Sequence, residues 1–460
     1  VTMDDCVALA RRLGQRVGKE LSIPVYLYEY AASAPHRRNL ADIREGEYEG
    51  LAKKIAHRDW QPDFGPATFH PRCGATVIGA RKFLVAYNVN LNTLDKRLAT
   101  RVAFDVRERG RVKRDENGEP VLDKNGEQVW EPGILKSVKA VGWVIPEYGC
   151  AQVSMNLTDV DTTPLHVAFD TCDERARDRG LRVTGSEIVG LVPLSVLLDA
   201  GRHYLRKMGR PAGVPEPSLV HTAIRSLGLS ELKPFDPKER VIEYRLRNAS
   251  PLASMSVAAF IDELSSDSPA PGGGSVSALA ASMGAALASM VAVLSHAKKG
   301  FESKHEALDA IAVRAQKLKD EFLAAVDADT AAFDRLLEAM RMAKDDPARD
   351  AAIADATVAA TEVPLGVLER CGEVIELCRE VAKIGLQASL SDAGVGAQMA
   401  RAAAAGAYQN VCINLGQLAS GDRRAGLLQR ADSAWKTSQQ LHEKAEREIL
   451  QKLRDSVTAD

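Results

Sequence analysis

The pattern of hydrophobic and polar positions changes near residue 250 of the 460-residue chain. Before that point, short runs with a strand-like period of two alternate with helical stretches. After it, nearly all apolar positions recur with the period of a helix, in segments rich in Ala, Leu, Glu, Lys and Arg. The pattern therefore predicts an α+β, multidomain fold in which α/β subdomains are followed by an all-α helical bundle.

The strand predictions rest on alternation of apolar and polar residues. The alternation is clearest at Phe83, Val85, Tyr87, Val89 and Leu91. The predicted strands are residues 25–30, 82–91, 138–145 and 151–157, and the predicted helices beside them are residues 5–21 and 164–179. Helices alternating with strands are typical of a sheet with one covered face.

Turn-forming residues interrupt this first region. The pairs Asn117-Gly118 and Asn125-Gly126 are strong turn signals and predict an exposed β-hairpin. The acidic spacing there resembles a calcium loop only weakly, because the terminal Glu is missing at the required offset. Residues 185–187 (Gly-Ser-Glu) are expected to form a turn that leads into an apolar strand.

The chain begins at a predicted helix N-cap. Thr2 and Asp5 have the spacing of a capping box. Because an α/β sheet normally has a strand ahead of its first helix, we expect that an upstream segment is missing.

Composition excludes several functional classes. Sixty basic and sixty-two acidic residues give a net charge of −2, so no overall basic field favours nucleic acid or an anionic membrane. Seven scattered cysteines without a C-x-x-C motif argue against disulfides and structural zinc, and predict reduced thiols in the cytoplasm and no metal. Residues 275–297 carry no formal charge, but their Ala, Ser, Gly and Met content favours a buried helix over a membrane span.

One acidic residue occupies a core-facing position in a long predicted helix. The apolar stripe consists of Phe322, Val326, Phe333, Leu337 and Met340. Asp329 fills the gap in this stripe, whereas Asp327 points to the opposite face. Burial of a carboxylate is unfavourable unless the group is paired or protonated, so its pKa should be raised, as suits proton transfer near neutral pH. The alternative is a structural Asp that bonds a neighbouring helix.

A run of glycines opens the charge-free helix. Gly272, Gly273 and Gly274 precede Ser275, and free N–H groups at a helix N-terminus bind carboxylate or phosphate. A flexible corner with Ser275 as the N-cap explains the same residues. Further corners of the bundle are predicted at residues 345–347, 363–364, 389–394 and 420–421.

A later helix carries further polar candidates. Ser391, Asp392, Asn410 and Asn414 are candidates to complete a polar pocket, although a helix cap explains the first two as well.

The densest cluster of candidate ligand-binding residues in the first region is residues 63–76. Gly65 and Gly74 relieve crowding so that backbone N–H groups can face a ligand, and Phe69 offers a flat apolar surface. A tight, Pro-fixed loop between two strands is the alternative. His70 is the only His in the cluster, and both a general base and a hydrogen-bonded loop residue remain open for it.

These segments carry a resemblance to a known family. The first 246 residues resemble formiminotransferase in PVYLYEYAA, KFLVAYNVNL, AQVSMNLTD, GSEIVGLVPL and ELKPFDPKERVIEY. From about residue 255 the chain resembles cyclodeaminase in FIDELSSDSPAPGGGSV, the VDAD helix and NVCINL. Together and in this order the segments are similar to the bifunctional formimidoyltransferase-cyclodeaminase family.

The resemblance implies a division of the chain and two reactions. Residues 1–83 would form a truncated N-subdomain of formiminotransferase, 84–246 its C-subdomain, 247–254 a linker and 255–460 the cyclodeaminase bundle. The first part would transfer a formimidoyl group from N-formimino-L-glutamate to N5 of tetrahydrofolate, in histidine breakdown. The second would close the product to 5,10-methenyltetrahydrofolate with loss of ammonia.

Matching the motifs assigns site residues. Asp329 corresponds to the catalytic aspartate of cyclodeaminase. The folate-binding segment corresponds to Gly65, Pro66, Ala67, Thr68, Phe69, His70, Pro71, Arg72, Cys73 and Gly74. We expect Gly272, Gly273, Gly274 and Ser275 to hold a carboxylate or ring amide of the folate.

The chain departs from the family at one residue. The general base of the transferase is a His in an upstream His-Pro-Arg-Met-Gly-like motif, which this sequence does not contain. His70 lies in a similar run of letters but aligns with the folate segment. We therefore expect the first half to bind folate but to transfer poorly or not at all, with His70 as the alternative base.

Two other functions remain as alternatives. They are a methenyltetrahydrofolate cyclohydrolase of the same family and a non-catalytic folate-binding scaffold. The resemblance further implies a cytoplasmic homo-oligomer, an octamer in the family, whose partners are the two small-molecule substrates and neither nucleic acid nor membrane.

Overall fold

The computed structural model describes residues 2–246, 251–268 and 270–458. Contacts divide the chain into two compact units. The first is Val1–Val85 with Lys136–Lys139 and Asn156–Thr163, and the second is Ala86–Leu135 with Ala140–Met155 and Pro164–Asp460. Of the predicted linker, residues 247–250 lie outside the described residues.

The first unit is built on a short parallel strand pair. Its elements are α1 (Met3–Glu20), β1 (Val25–Glu29), α2 (Leu40–Arg44), α3 (Glu47–Ile55) and β2 (Thr76–Ala80). The pairing of β1 with β2 is parallel. The capping box is confirmed, because the Thr2 hydroxyl accepts from the Asp5 N–H at 3.2 Å and the Asp5 carboxylate accepts from the Thr2 N–H at 2.8 Å.

The α/β part of the second unit surrounds a four-stranded sheet. Its elements are β3 (Val85–Leu91), α4 (Lys96–Val106), β4 (Arg111–Val112), β5 (Trp130–Glu131), β6 (Val138–Ile145), β7 (Cys150–Leu157), α5 (Leu165–Arg177), β8 (Val183–Val189), α6 (Leu194–Lys207), α7 (Glu216–Leu227), α8 (Pro237–Arg240) and α9 (Ile242–Leu246). Three of the strands, β3, β6 and β7, have end residues that belong to the first unit. The strand order is β6-β7-β3-β8, with β3 and β8 antiparallel. The predicted strands are confirmed, except that the run from residue 82 becomes β3 only at Val85.

The turn predicted at residues 185–187 is wrong, because these residues lie inside β8. Ser186 is fully buried there, where it accepts a hydrogen bond from the Tyr87 hydroxyl at 2.8 Å and donates to the Leu227 carbonyl at 2.6 Å. Its polar group is thus satisfied by neighbouring elements, which a local turn signal does not reveal.

The predicted hairpin is confirmed. Its base is the antiparallel pair β4 and β5. Asp115 and Asp123 each accept two backbone N–H groups around the following Asn-Gly pair, so each pair forms a turn.

The rest of the second unit is the predicted helical bundle. Its helices are α10 (Val257–Leu264), α11 (Gly273–His296), α12 (His305–Met340), α13 (Arg349–Ile384), α14 (Leu390–Gly416) and α15 (Asp422–Thr458). Helix α11 is the core helix, and it meets α14 where a Cβ on Gly284 would be 2.8 Å from the Gly396 carbonyl oxygen. Small residues allow this approach of two backbones.

Two helices, α11 and α13, are long and apolar enough to cross a membrane. In the most apolar stretch of α11, 61% of the residues are buried among other helices. Core helices of bundles have this character, so the observation is only weak support for a membrane span.

The corner predicted at residues 363–364 is wrong, because Pro364 lies inside α13. Proline lacks the N–H that would bond the Ala360 carbonyl. The Asn414 side chain of α14 donates to that carbonyl at 2.9 Å and replaces the missing bond. The corner at 389–394 is also displaced, since α14 begins at Leu390 and includes Gly394.

Candidate functional site

Asp329 lies partly buried on α12 and faces the first turn of α11. Its Oδ2 accepts a hydrogen bond from the fully buried Ser275 hydroxyl at 3.2 Å, and the Ser275 N–H also bonds the carboxylate. Burial raises the pKa of Asp329, and the two Ser275 hydrogen bonds oppose this rise because they favour the charged form. The raised pKa agrees with the expectation from the sequence pattern.

Gly274 makes this contact possible. A Cβ at Gly274 would lie 2.5 Å from both Cγ and Oδ2 of Asp329, so no other residue fits there without moving the carboxylate. The N-cap of α11 is Gly272, without a side-chain cap bond, so the alternative with Ser275 as N-cap is wrong. The group that approaches this helix N-terminus is the carboxylate of Asp329 itself.

Asn410 of α14 lies against Gly273, the residue before Gly274 at the start of α11. A Cβ on Gly273 would be 3.2 Å from Nδ2 and 3.7 Å from Oδ1 of Asn410. The Nδ2 group donates to the Gly406 carbonyl at 2.8 Å. Carboxyl and amide therefore flank two successive residues of α11.

The other polar candidates of α14 lie elsewhere. Asn414 bonds α13, as described above. Ser391 and Asp392 lie in the first turn of α14. Within the described part of the chain, neither forms a hydrogen bond or ion pair with Asp329 or Ser275. The structure thus brings Asn410, but not these three residues, to the site.

The stripe used to place Asp329 is only partly correct. Phe322 and Val326 are buried as predicted, but beyond Asp329 the buried positions are Ala332, Leu336 and Ala339. Phe333 and Leu337 are partly buried and Met340 is exposed. Alanine is found on either face of a helix, so Ala332 and Ala339 gave no signal. A stripe drawn through the large apolar residues was therefore placed wrongly in this segment.

Asp327 does not simply face solvent. Its carboxylate accepts the N–H groups of Leu252 at 2.9 Å and Ala253 at 3.3 Å. Leu252 is buried in the bundle core. Asp327 therefore fixes the segment that enters the bundle, two residues from Asp329.

The predicted folate segment, residues 65–74, precedes β2, a strand that sequence analysis missed. Most of its side chains are exposed. Phe69 packs against Tyr48 with ring centroids 5.3 Å apart, and the Tyr48 hydroxyl donates to the Pro71 carbonyl. The segment has a defined conformation on α3.

Only part of this segment has free backbone donors. The Gly74 N–H donates to the His70 carbonyl at 2.8 Å, so it is not available to a ligand. In the described part of the chain, the N–H groups of Ala67, Thr68 and Phe69 have no acceptor.

His70 holds its own turn. Its Nδ1 lies 3.3 Å from the Arg72 nitrogen and 3.1 Å from the Cys73 nitrogen, and accepts both N–H groups. In the neutral ring the proton is then on Nε2, which leaves no free lone pair for base catalysis.

Sequence reasoning missed the ion pair that orders the approach to this segment. The Arg37 and Asp63 side chains are 8% and 9% exposed, and Nη1 is 3.1 Å from Oδ2. Arg37 also donates to the carbonyls of Asp59 and Gln61 at 2.9 Å and 2.7 Å. No local pattern marks such a pair, because its members are far apart in the chain.

No group of three or more His, Cys, Asp or Glu that could hold a metal occurs within residues 2–246, 251–268 and 270–458. The prediction that no metal is needed remains a prediction.

Three family descriptions match this chain. They are the N-terminal subdomain of the formiminotransferase domain over residues 1–81, the formiminotransferase domain over 86–247 and formiminotransferase-cyclodeaminase over 256–433. The resemblance and the fold class predicted from the sequence are confirmed.

Individual relatives match both parts. The chain is 40% identical to formimidoyltransferase-cyclodeaminase of Sus scrofa over 440 residues, 94% of this chain and 78% of that protein. It is 36% identical to glutamate formimidoyltransferase of Streptococcus pyogenes over 206 residues, 45% and 62% of the two chains. It is also 36% identical to methenyltetrahydrofolate cyclohydrolase of Methylorubrum extorquens over 163 residues, 35% and 78% of the two. The chain belongs to the formimidoyltransferase-cyclodeaminase family.

Proposed function

We propose that the helical bundle closes 5-formimidoyltetrahydrofolate to 5,10-methenyltetrahydrofolate with release of ammonia, and that Asp329 is the catalytic residue. The α/β region would supply this substrate by moving the formimidoyl group from N-formimino-L-glutamate to tetrahydrofolate. The single observation that supports the first reaction best is the partly buried Asp329 carboxyl with its raised pKa, held by Ser275.

The ring closure needs one proton carrier. N10 of the folate attacks the formimidoyl carbon and forms the N10–C bond, while the bond from that carbon to the terminal nitrogen breaks. The proton lost by N10 must reach this nitrogen, which leaves as ammonia. A protonated formimidoyl cation thus gives a methenyl cation and neutral ammonia, and charge balances.

The Asp329 environment suits this proton transfer. A carboxylate can accept the proton from N10 and then donate it to the leaving nitrogen. Such exchange is most efficient when the pKa lies close to the working pH, and burial moves the pKa of Asp329 in that direction.

The test is Asp329→Asn, which keeps size and hydrogen-bonding ability but cannot carry the proton. Ammonia release and methenyl formation should fall by about 10²- to 10⁴-fold, the usual contribution of general acid–base catalysis. The matched control is Asp327→Asn, the same change two residues away, which should retain most of the activity. Undiminished turnover by Asp329→Asn would remove this residue from the reaction.

For the α/β region we propose that His70 is not the base of the transfer, because its Nδ1 is engaged by two N–H groups. His70→Asn keeps an acceptor for a local turn. Glutamate release from N-formimino-L-glutamate by this variant should equal that of the unmodified chain. A specific loss with folate binding intact would make His70 the base.

A second candidate for the bundle is methenyltetrahydrofolate hydrolysis, favoured by the similarity to the cyclohydrolase of Methylorubrum extorquens. Comparing ammonia release with hydrolysis of the methenyl bridge on the same preparation separates the two. We expect ammonia release to be the faster reaction.

We also propose a cytoplasmic homo-oligomer. Helix α11 exposes Val276, Met283 and Met290 at seven-residue spacing, an apolar line suited to a second copy. Light scattering coupled to gel filtration tests the mass, and cell fractionation tests the location.

A further inference from the structure

A second polar group, besides Asp329, lies against the glycines that open α11. The ring closure proposed above gives this group no role. This group is the partly buried Asn410 amide, which lies against Gly273 as Asp329 lies against Gly274. Consecutive Cα atoms are about 3.8 Å apart, so the amide and the carboxyl are within roughly 10 Å of each other.

The orientation of the amide is determined by its backbone partner. Because Nδ2 donates to the Gly406 carbonyl at 2.8 Å, the nitrogen faces that carbonyl and the oxygen is on the other side. No donor to Oδ1 is found among the residues that the structure describes. Asn410 therefore presents an unoccupied hydrogen-bond acceptor within roughly 10 Å of the Asp329 carboxyl.

An acceptor at this place distinguishes two groups of nearly equal shape. The terminal nitrogen of a formimidoyl group carries N–H and donates a hydrogen bond. The terminal oxygen of a formyl group only accepts, and would place two acceptors against each other. Selection by a fixed hydrogen-bonding group is stronger than selection by size, because the wrong ligand leaves a desolvated group unpaired.

We propose that Asn410 is a specificity-determining residue, whose Oδ1 accepts a hydrogen bond from the terminal N–H of the formimidoyl group and discriminates against 5-formyl folates. This rests on the ring closure proposed above. The bond also holds the leaving nitrogen while the proton from N10 reaches it through Asp329. After the C–N bond breaks, ammonia dissociates with that proton and Asn410 is unchanged.

The experiment compares kcat/KM for ammonia release from 5-formimidoyltetrahydrofolate with the inhibition constant of 5-formyltetrahydrofolate in the same assay. Asn410→Leu, of similar size but without an acceptor, should lower kcat/KM by about 10- to 100-fold, as expected for one hydrogen bond to a charged group. The inhibition constant should stay constant or fall.

The matched control is Asn414→Leu, the same change one turn along α14, which should lower the melting temperature without changing the ratio of the two constants. Equal weakening of substrate and formyl inhibitor by Asn410→Leu, or no change in either, would overturn the proposal. These outcomes are independent of Asp329→Asn, which alone tests the ring closure.

Discussion

Asp329 combines a proposed catalytic role with a cost in stability. Because burial raises its pKa, the folded chain binds its proton more tightly than the unfolded chain does. The free energy of unfolding therefore falls as pH rises from the ordinary value of 3.8 through the raised pKa, and stays lower above it. Ionised Asp329 thus destabilises the fold at neutral pH.

Asp329→Asn removes this charge and should be more stable than the parent at about pH 7. The difference should shrink as pH falls through the raised pKa and then below 3.8, where both states protonate the acid. Chemical denaturation at several pH values measures it. A constant difference across this range would show that desolvation of Asp329 is not its origin.

Arg37 presents the opposite case, a charge that stabilises. Arg37→Ala leaves Asp63 buried without its partner and should lower the free energy of unfolding by about 3 kcal/mol. Arg16→Ala in α1 is the control, since its bond to Glu20 is exposed and should contribute nothing measurable. Equal effects of the two would contradict the importance of burial.

For single residues, the sequence pattern predicted those whose polarity differs from that of the positions around them. Asp329 was recognisable because a carboxyl interrupts apolar positions. Ser275 and Asn410 were noticed, but their partners Asp329 and Gly406 could not be assigned, since Ser and Asn fit caps and surfaces equally well. Arg37 was missed entirely because an arginine in a polar stretch is usually solvated.

At the scale of elements, α13 contains a proline that local rules place at a corner. Its missing hydrogen bond is replaced by Asn414, fifty positions later in the chain. A rule that considers only neighbours in sequence cannot include such a partner. By contrast, the two Asn-Gly turns and the cap of α1 were predicted correctly because the side-chain hydrogen bonds that form them are local.

A double-mutant cycle tests this replacement. Asn414→Leu leaves the Ala360 carbonyl unpaired and should cost about 1–2 kcal/mol. In a Pro364→Ala background the new N–H at position 364 bonds that carbonyl, so the same substitution should have little effect. Additive free energies of unfolding would mean that the two residues do not share this carbonyl.

At the scale of the whole molecule, the second unit joins an α/β part to the bundle. Asp309 of α12 accepts the Ala212 N–H at 2.6 Å and the Arg206 side chain of α6 at 2.9 Å. Beside it, a Cβ at Gly213 would overlap Ala312. The sequence predicted both parts but not this contact, because nothing in either pattern specifies which surfaces meet.

Asp309→Ala should expose this junction. The unpaired N–H and guanidinium should lower stability by about 2–3 kcal/mol and increase protease cleavage between α6 and α7. Asp199→Ala, which loses an exposed partner of Arg202 on α6, should do neither. Equal cleavage of the two variants would show that Asp309 does not hold the α/β part against the bundle.

The bond from Asp327 to the incoming segment has a practical consequence for excising the bundle. A fragment cut to the family match, residues 256–433, would lack the two N–H groups on Asp327 and end inside α15, before the buried Ala445 and Ile449. The Asp327 carboxylate, two residues from Asp329, would lose both backbone hydrogen bonds. The core residues that pack against Ala445 and Ile449 would be exposed to solvent. An autonomous, active piece should instead begin no later than residue 251 and extend to 458.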